Sequence, residues 1–203
     1  MKFSIIIPAY NAEGHIRKAL DSIKSQTFKD YELIVICDSC TDKTEVIARE
    51  YGARTEAVSY HCDGLTRNRG MELATGDWLL FMDDDDWWLH EYVLQQLSDK
   101  IDERPDADII AFSFIWREIG YMAPTSRGGG NWIACWCKCY RRGCIGNARF
   151  SNIVDGSADV QFFEQMFFKG LRVVNWDMPM YYYNYLRPGS ISEEHGYDYR
   201  PAK

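Results

Sequence analysis

The chain has 203 residues with 46% hydrophobic and 26% charged side chains, enough for one substantial core and too apolar for extensive disorder. Its net charge of −7 and lack of a basic stripe exclude nucleic acid as the expected partner, because phosphate backbones are bound by clustered Lys and Arg. No apolar run approaches the roughly 18 residues that span a bilayer, and Phe3–Ile7 is too short for a signal peptide, so a cytoplasmic protein without a transmembrane segment is expected.

In chain order, Phe3–Ile7 reads as a buried strand closed by Pro8. Residues 12–25 carry Ile16, Leu20 and Ile23 at helical spacing with Asn11 as N-cap. Leu33–Ile36 is a second strand, and Thr41–Tyr51 a helix capped by Thr41 and stopped by Gly52. Ala53–Val58 follows as a strand, 63–75 as a helix, Trp78–Met82 as the fourth strand and Leu89–Glu103 as a helix that ends before Pro105. Repeated strand–helix units of this length predict an α/β fold with a doubly wound, mostly parallel sheet.

The second half is less regular. Asp108–Trp116 and Trp132–Tyr140 read as strands around a loop at Tyr121–Asn131; Ala158–Lys169 reads as a helix, and Leu171–Asn175 and Met180–Tyr185 as closing strands. One domain over 1–203 is expected, with halves at 1–104 and 105–203. The seven cysteines are an odd number in a chain large enough to fold without staples, which points to reduced thiols. A strand would put Cys135, Cys137 and Cys139 on one face, at a spacing unlike that of zinc-binding pairs.

Ligands of open parallel sheets bind beyond the carboxyl ends of the strands. Here the first strand delivers Ala9-Tyr10-Asn11, the second Asp38 with Ser39 and Asp42, and the fourth Asp83-Asp84-Asp85-Asp86. Adjacent carboxylates repel by about 1 kcal/mol per close pair even in water. All-oxygen ligands after a buried strand suit Mg²⁺ or Mn²⁺, whereas the structural alternative is a solvated acidic turn. With a divalent cation the acidic crevice would accept a diphosphate, which points to a metal-bound nucleotide or nucleotide-sugar. Arg67 would be the cationic partner of that diphosphate, or else a solvent-facing helix charge.

These residues also resemble a known family. Ser4-Ile5-Ile6-Ile7-Pro8-Ala9-Tyr10-Asn11, Ala19-Leu20-Asp21-Ser22-Ile23 with Gln26-Thr27, and Asp38-Ser39-Cys40-Thr41-Asp42-Lys43-Thr44 are similar to the opening of family-2 glycosyltransferases. Arg67-Asn68-Arg69-Gly70, Ala74-Thr75-Gly76-Asp77 and Phe81-Met82-Asp83-Asp84-Asp85-Asp86 continue the likeness in order. The resemblance implies the GT-A fold, a nucleotide-diphospho-sugar donor such as a UDP-sugar, a Mn²⁺ or Mg²⁺ cofactor and inversion at the anomeric carbon. It implies a donor-binding half at 1–104 and an acceptor-binding half at 105–203.

By position, the resemblance implies that Pro8, Ala9 and Tyr10 line the nucleotide pocket and that Asp38 accepts from a uracil-type base. Asp83 and Asp85 take the ends of the family's Asp-x-Asp motif, Asp83 near ribose and sugar and Asp85 on the metal, with Asp84 between them on the donor side. Asp159, after Ala158 where the family usually has Glu, is the implied catalytic base; the structural alternative is a carboxylate at a helix N-terminus. His195 is implied as a further contact of metal or phosphates. The acceptor would be a glycan or a lipid-linked molecule, with peripheral membrane association. Trp87, Trp88, Trp132 and Trp136 are candidates for an acceptor-stacking platform or for core. Competing readings are a nucleotidyltransferase and a catalytically silent sugar-nucleotide or glycan-binding module.

Overall fold

The structure is a computed structural model that describes residues 1–117, 119–124, 134–153, 158–167 and 169–184. Strands β1 (Phe3–Ala9), β2 (Tyr31–Asp38), β3 (Arg54–Val58) and β4 (Trp78–Phe81) alternate with helices α1 (Ile16–Lys24), α2 (Thr44–Glu50) and α3 (Asp63–Leu73). The apolar runs of β1, β2 and β4 are almost wholly buried, as two-sided burial of parallel strands requires. The four strands pair in parallel in the order β3-β2-β1-β4. The chain therefore winds outward from β1 to β3, then returns to the other side of β1. That reversal opens a crevice between the loops after β1 and β4.

Pro8 lies inside β1, one residue beyond the expected end, in register with Ile36 of β2. Ile6 accepts from the Met82 N–H beyond β4, so the polar groups of Pro8, two residues on, face the side where β4 has already stopped. The missing proline N–H thus costs no ladder bond.

The second half extends the same sheet through β8 (Lys138–Arg141), β6 (Ile109–Trp116), β9 (Val173–Tyr183) and the short β5 (Trp87–Trp88), with β7 (Gly120–Met122) paired to β6. Strand β8 joins antiparallel to both β4 and β6. Helices α4 (Val93–Glu103), α5 (Arg142–Ile145) and α6 (Ala158–Phe167) complete the described elements. The two expected closing strands are one strand: β9 runs parallel to β6 and absorbs Asp177 and Met178 as a bulge opposite the Phe112/Ser113 step, where Ser113 donates to Asp177 at 2.9 Å. Pro179 sits at that irregularity.

Other expectations are corrected. Neither Asn11 nor Thr41 caps a helix: the Asn11 side chain accepts from the Thr41 N–H at 2.8 Å, and α1 and α2 begin later. Residues 135–137 form a turn and only Cys139 lies in β8, so the three cysteines do not share a strand face. All seven cysteines are free thiols. Trp88 and Trp136 are core side chains, the latter stacked on Tyr181 and Tyr183 at 4.8 and 4.7 Å. Trp87 is half-buried against Tyr182, and Trp132 lies outside the described residues.

Candidate active site

Among the described residues, three that are not glycine adopt left-handed backbone: Asn11, Ser39 and His61, at φ of 45°, 55° and 50°. Each follows a different strand of the parallel half, so the strained positions gather at the carboxyl edge where ligands bind. The first two loops are laced together. Glu13 N–H donates to Asp42, Lys43 N–H donates back to Glu13, each at 2.9 Å, and Ala12 N–H donates to Thr44 Oγ1 at 2.7 Å. The Asp42-Lys43-Thr44 segment therefore fixes the loop that carries Tyr10.

Pro8 and Ala9 are in the strand wall, while Tyr10 is 63% exposed at the rim. Asp38 is buried at the end of β2. Its carboxylate accepts from Tyr60, His61 and Cys62 N–H groups at 2.8, 3.0 and 2.9 Å and from the hydroxyls of Thr66 and Ser39 at 3.0 Å each. Burial pushes its pKa up, but these donors outweigh it and hold the group below its ordinary value. The expected hydrogen bond from a nucleobase thus finds both Asp38 oxygens already occupied. The same side chain shapes the loop beyond β3.

The four aspartates divide sharply. Asp84 Oδ1 meets His15 Nε2 at 3.0 Å and its other oxygen accepts the Tyr10 N–H at 3.2 Å, tying the end of β4 to the loop after β1. Asp86 is fully buried and accepts from Tyr181 Oη at 2.7 Å and Asn184 N–H at 2.8 Å. Burial, then the charges of Asp85 and Asp83, push its pKa well up. Asp83 and Asp85 are left half-buried at the crevice. Burial raises Asp83 to about 7 against the pull of Arg67, with Asp85 and Asp159 adding to the rise.

Arg67 is buried in α3 rather than facing solvent, donating to Asp63 and, at 2.7 Å, to Asp83. Burial disfavours its charge, yet the carboxylates of Asp63, Asp83 and Asp159 hold it strongly protonated. Its Nε has no hydrogen-bond partner among the described residues. The rest of the Arg67–Gly70 motif is architectural. Asn68 exchanges two 2.9 Å bonds with Phe150, donating to its carbonyl and accepting its N–H, across 82 residues of sequence. Arg69 pairs with Glu56 and Glu72 at the surface, and a Cβ at Gly70 would collide with Ile6.

Asp159 stands in the first turn of α6 and accepts the Cys135 N–H at 2.9 Å. The turn offering that N–H is held by Lys138, buried beneath it, whose Nζ donates to the Ala134 carbonyl at 2.6 Å. Phe162 of α6 stacks on Phe150 at 4.0 Å, and both meet Phe81 of β4 edge-on at 6.1 and 5.2 Å. This cluster presses the helix bearing Asp159 against the strand that ends in Asp83. His195 lies outside the described residues. Among the described residues, no three His, Cys, Asp or Glu side chains are arranged to hold a metal unaided, and no helix is long and apolar enough to cross a membrane.

Asn68, Lys138 and Tyr181 are not among the site residues expected from the sequence. Asn68 was visible inside a recognisable motif, whereas Lys138 and Tyr181 carry no local signal because their partners are distant in sequence.

A family model described as glycosyl transferase family 2 matches residues 4–142, from β1 through the first residue of α5. The chain belongs to glycosyltransferase family 2. Among its relatives in this family, the PGL/p-HBAD biosynthesis glycosyltransferase of Mycobacterium tuberculosis is 31% identical over 182 residues, covering 79% of this chain and 69% of that protein. Glycosyltransferase GlyA of Streptococcus pneumoniae is 37% identical over 97 residues, 45% of this chain and 14% of GlyA. A crystal structure of Staphylococcus aureus TarS 1–349 in complex with UDP superposes with TM-score 0.78 at 25% identity, over 90% of this chain and 60% of that one. The UDP-GlcNAc complex of the same fragment gives TM-score 0.81 at 23% identity, over 95% and 61%. The GT-A fold of the family is therefore present. The chain spans 14%, 30% and 41% of the length of three of these relatives, GlyA, EpsH of Bacillus subtilis and AmsB of Erwinia amylovora. Asp159 lies beyond the matched segment.

Proposed function

We propose that the chain carries the transfer site of an inverting glycosyltransferase that moves a sugar from a nucleotide-diphosphate donor, most simply a UDP-sugar, to a hydroxyl acceptor. The observation that carries this reading is the convergence of Asp83 and Asp159 on Arg67. Asp83 is paired with the buried guanidinium at 2.7 Å, and the charge of Asp159, from a distant segment, acts on the same group at the sheet's switch point. The UDP and UDP-GlcNAc complexes of TarS support the donor class.

The donor set fits a divalent cation. Asp83 and Asp85 offer only hard oxygens, and the charges of Asp85 and Asp159 around Asp83 would be offset by a cation there. Fewer than three protein ligands suit Mg²⁺ or Mn²⁺, which commonly take their remaining ligands from phosphates and water. Crystal structures of a mycobacterial glucosyl-3-phosphoglycerate synthase with Mg²⁺ or Mn²⁺ and UDP share the fold. A bound ion would stabilise charge on the departing diphosphate.

In this reading the chain's own groups do the rest. Pro8, Ala9 and exposed Tyr10 flank the nucleotide, with Asp38 holding the facing loop and Asp84 fastening Tyr10. Arg67 holds Asp83 in place rather than meeting phosphate directly, since both ends of its guanidinium are engaged. Asp159, oriented by the Cys135 N–H, takes the acceptor's hydroxyl proton as the bond to the anomeric carbon forms. The acceptor, glycan or lipid-linked, would approach from the second-half side, consistent with a cytoplasmic enzyme at a membrane surface. The relatives GlyA and AmsB, the latter an amylovoran biosynthesis glycosyltransferase, support a carbohydrate product.

The test is turnover of labelled nucleotide-sugars with Mn²⁺ and a panel of acceptors. Asp159→Asn should keep UDP binding and lose transfer by about 10²- to 10⁴-fold. Asp85→Ala should abolish the Mn²⁺ dependence of UDP binding. Full transfer by Asp159→Asn would remove it as base, and UDP binding without turnover of any donor would favour a silent binding module.

A further inference from the structure

Cys37 and Cys40 flank Asp38-Ser39 as a Cys-x-x-Cys pair at the end of β2, and nothing in the transfer chemistry uses either thiol. Cys37 is buried as the strand leaves the sheet, in register with Ala9 of β1, while Cys40 is partly exposed on the crevice side. The left-handed turn at Ser39 folds the chain back so that both cysteines border Ala9: Cys37 lies opposite it in the sheet, and the Cys40 sulfur reaches its carbonyl. Cys40 is also bonded to the nucleotide wall. Its Sγ donates to the Ala9 carbonyl at 3.3 Å and accepts the Asn11 N–H at 3.4 Å.

We propose that Cys37 and Cys40 form a reversible disulfide under peroxide, and that closing it weakens nucleotide binding by withdrawing the Cys40 sulfur from the loop after β1. The affinity half of this inference rests on the donor site proposed above; the disulfide itself does not. The asymmetry of the pair favours the chemistry. The neighbouring Cys37 thiol, more than any other influence, lowers the Cys40 pKa, while Cys40 and then burial push Cys37 up. Cys40 is thus the exposed sulfur readier to become a thiolate, and Cys37 the resolving thiol beside it.

The step balances. The Cys40 thiolate attacks hydrogen peroxide, forming S–O as O–O breaks, and the departing hydroxide takes a proton to become water. The Cys37 sulfur then attacks the Cys40 sulfenic acid, S–S forms as S–O breaks, and a second water leaves with the Cys37 proton. Two thiols lose two electrons to the peroxide, and an external dithiol reverses the change.

The consequence lies in the loops. Asn11 and Ser39, both left-handed, sit on either side of the Cys40 sulfur, and the loop after β1 carries Tyr10. Loss of the two Cys40 contacts loosens that loop, which Asp84 and the Asp42–Thr44 segment continue to hold, whereas the remaining thiols offer no comparable pair. Cys62, Cys135, Cys137 and Cys139 are buried, and Cys144 bonds to Asp108 far along the chain.

The experiment treats the full chain with hydrogen peroxide, digests it under alkylating conditions and measures the peptide bearing residues 37–40. UDP binding is then measured by calorimetry with Mn²⁺ on reduced, oxidised and dithiothreitol-recovered protein. The expected result is loss of two hydrogens within that peptide, about tenfold weaker UDP binding, and recovery on reduction. Cys40→Ser should show no such mass change, and its UDP affinity should be the same before and after peroxide. Alkylation of both thiols after peroxide would overturn the disulfide. A formed disulfide with unchanged UDP affinity would overturn its effect on the site. Failure of the reduced protein to bind UDP would instead overturn the donor-site reading and with it the affinity claim, while the mass measurement still decides the disulfide.

Discussion

Tyr181 donates its hydroxyl to the Asp86 carboxylate at 2.7 Å, and the same oxygen accepts the Asp83 N–H at 3.1 Å. One phenol in β9 thereby fixes both ends of the four-aspartate turn, 95 residues away in sequence. Asp86 is inward and structural because of it, and Asp83 is turned toward Arg67 and the crevice.

Removing that phenol oxygen should cost more than one ordinary hydrogen bond. Tyr181→Phe leaves a buried carboxyl oxygen and the Asp83 N–H without partners, so a loss of about 1–3 kcal/mol is expected in urea unfolding. UDP binding in the presence of Mn²⁺ should weaken with it. Unchanged stability would mean that the turn is held elsewhere.

Asp83 gives the apo protein a pH signature. Its folded pKa of about 7 lies above the ordinary carboxylate value, so the native state binds the extra proton between about pH 4 and 7. Stability should therefore fall as pH rises through that window, and Asp83→Asn should flatten the slope. Cation binding competes with the same proton, so Mn²⁺ should bind more tightly as pH rises toward 7. Thermal melts across pH, with and without Mn²⁺, read both effects.

Asp38 has the opposite sign. Its depressed pKa contributes stability that is present above about pH 4 and is lost as pH falls below that value. Asp38→Ala strands three backbone N–H groups, while the Thr66 hydroxyl keeps the Cys62 carbonyl, and should destabilise by about 2–4 kcal/mol. Loss of UDP affinity without any loss of stability would restore a direct contact between Asp38 and the nucleobase.

Two motif positions should behave as architecture. Asn68→Ala breaks both bonds to Phe150, and a destabilisation of about 1–3 kcal/mol is expected. At Gly76, an added Cβ would lie 2.7 Å from backbone atoms of Phe3 and Ser4, so Gly76→Ala should cost about 1–3 kcal/mol by displacing the start of β1. Chemical denaturation of each variant checks these values, and an unperturbed Gly76→Ala would mean that β1 shifts freely.

Most of the parallel half was legible because its signals are local. Continuous apolar runs mark buried strands, helical spacing marks α1, and Gly52, at a φ of 82°, stops α2 as expected. The second half was harder to read. A bulge let β9 continue where the sequence suggested two strands, and β5 owes its existence to pairing with Tyr181 and Tyr182 rather than to any property of Trp87-Trp88 alone.

The sequence by itself determined the α/β fold, the family and the clustering of Ala9-Tyr10, Asp38 and the four aspartates at one sheet edge. Chain order and strand period place those groups without knowledge of their partners. Only the tertiary structure decided what each group does there. Asp38 turned inward to a loop, Arg67 became an anchor for Asp83, Asp84 a fastener of Tyr10 and Asp86 a buried strut, leaving Asp83 and Asp85 at the crevice. Such roles depend on which donor or charge lies opposite and how much water remains between, and those partners come from residues tens of positions away.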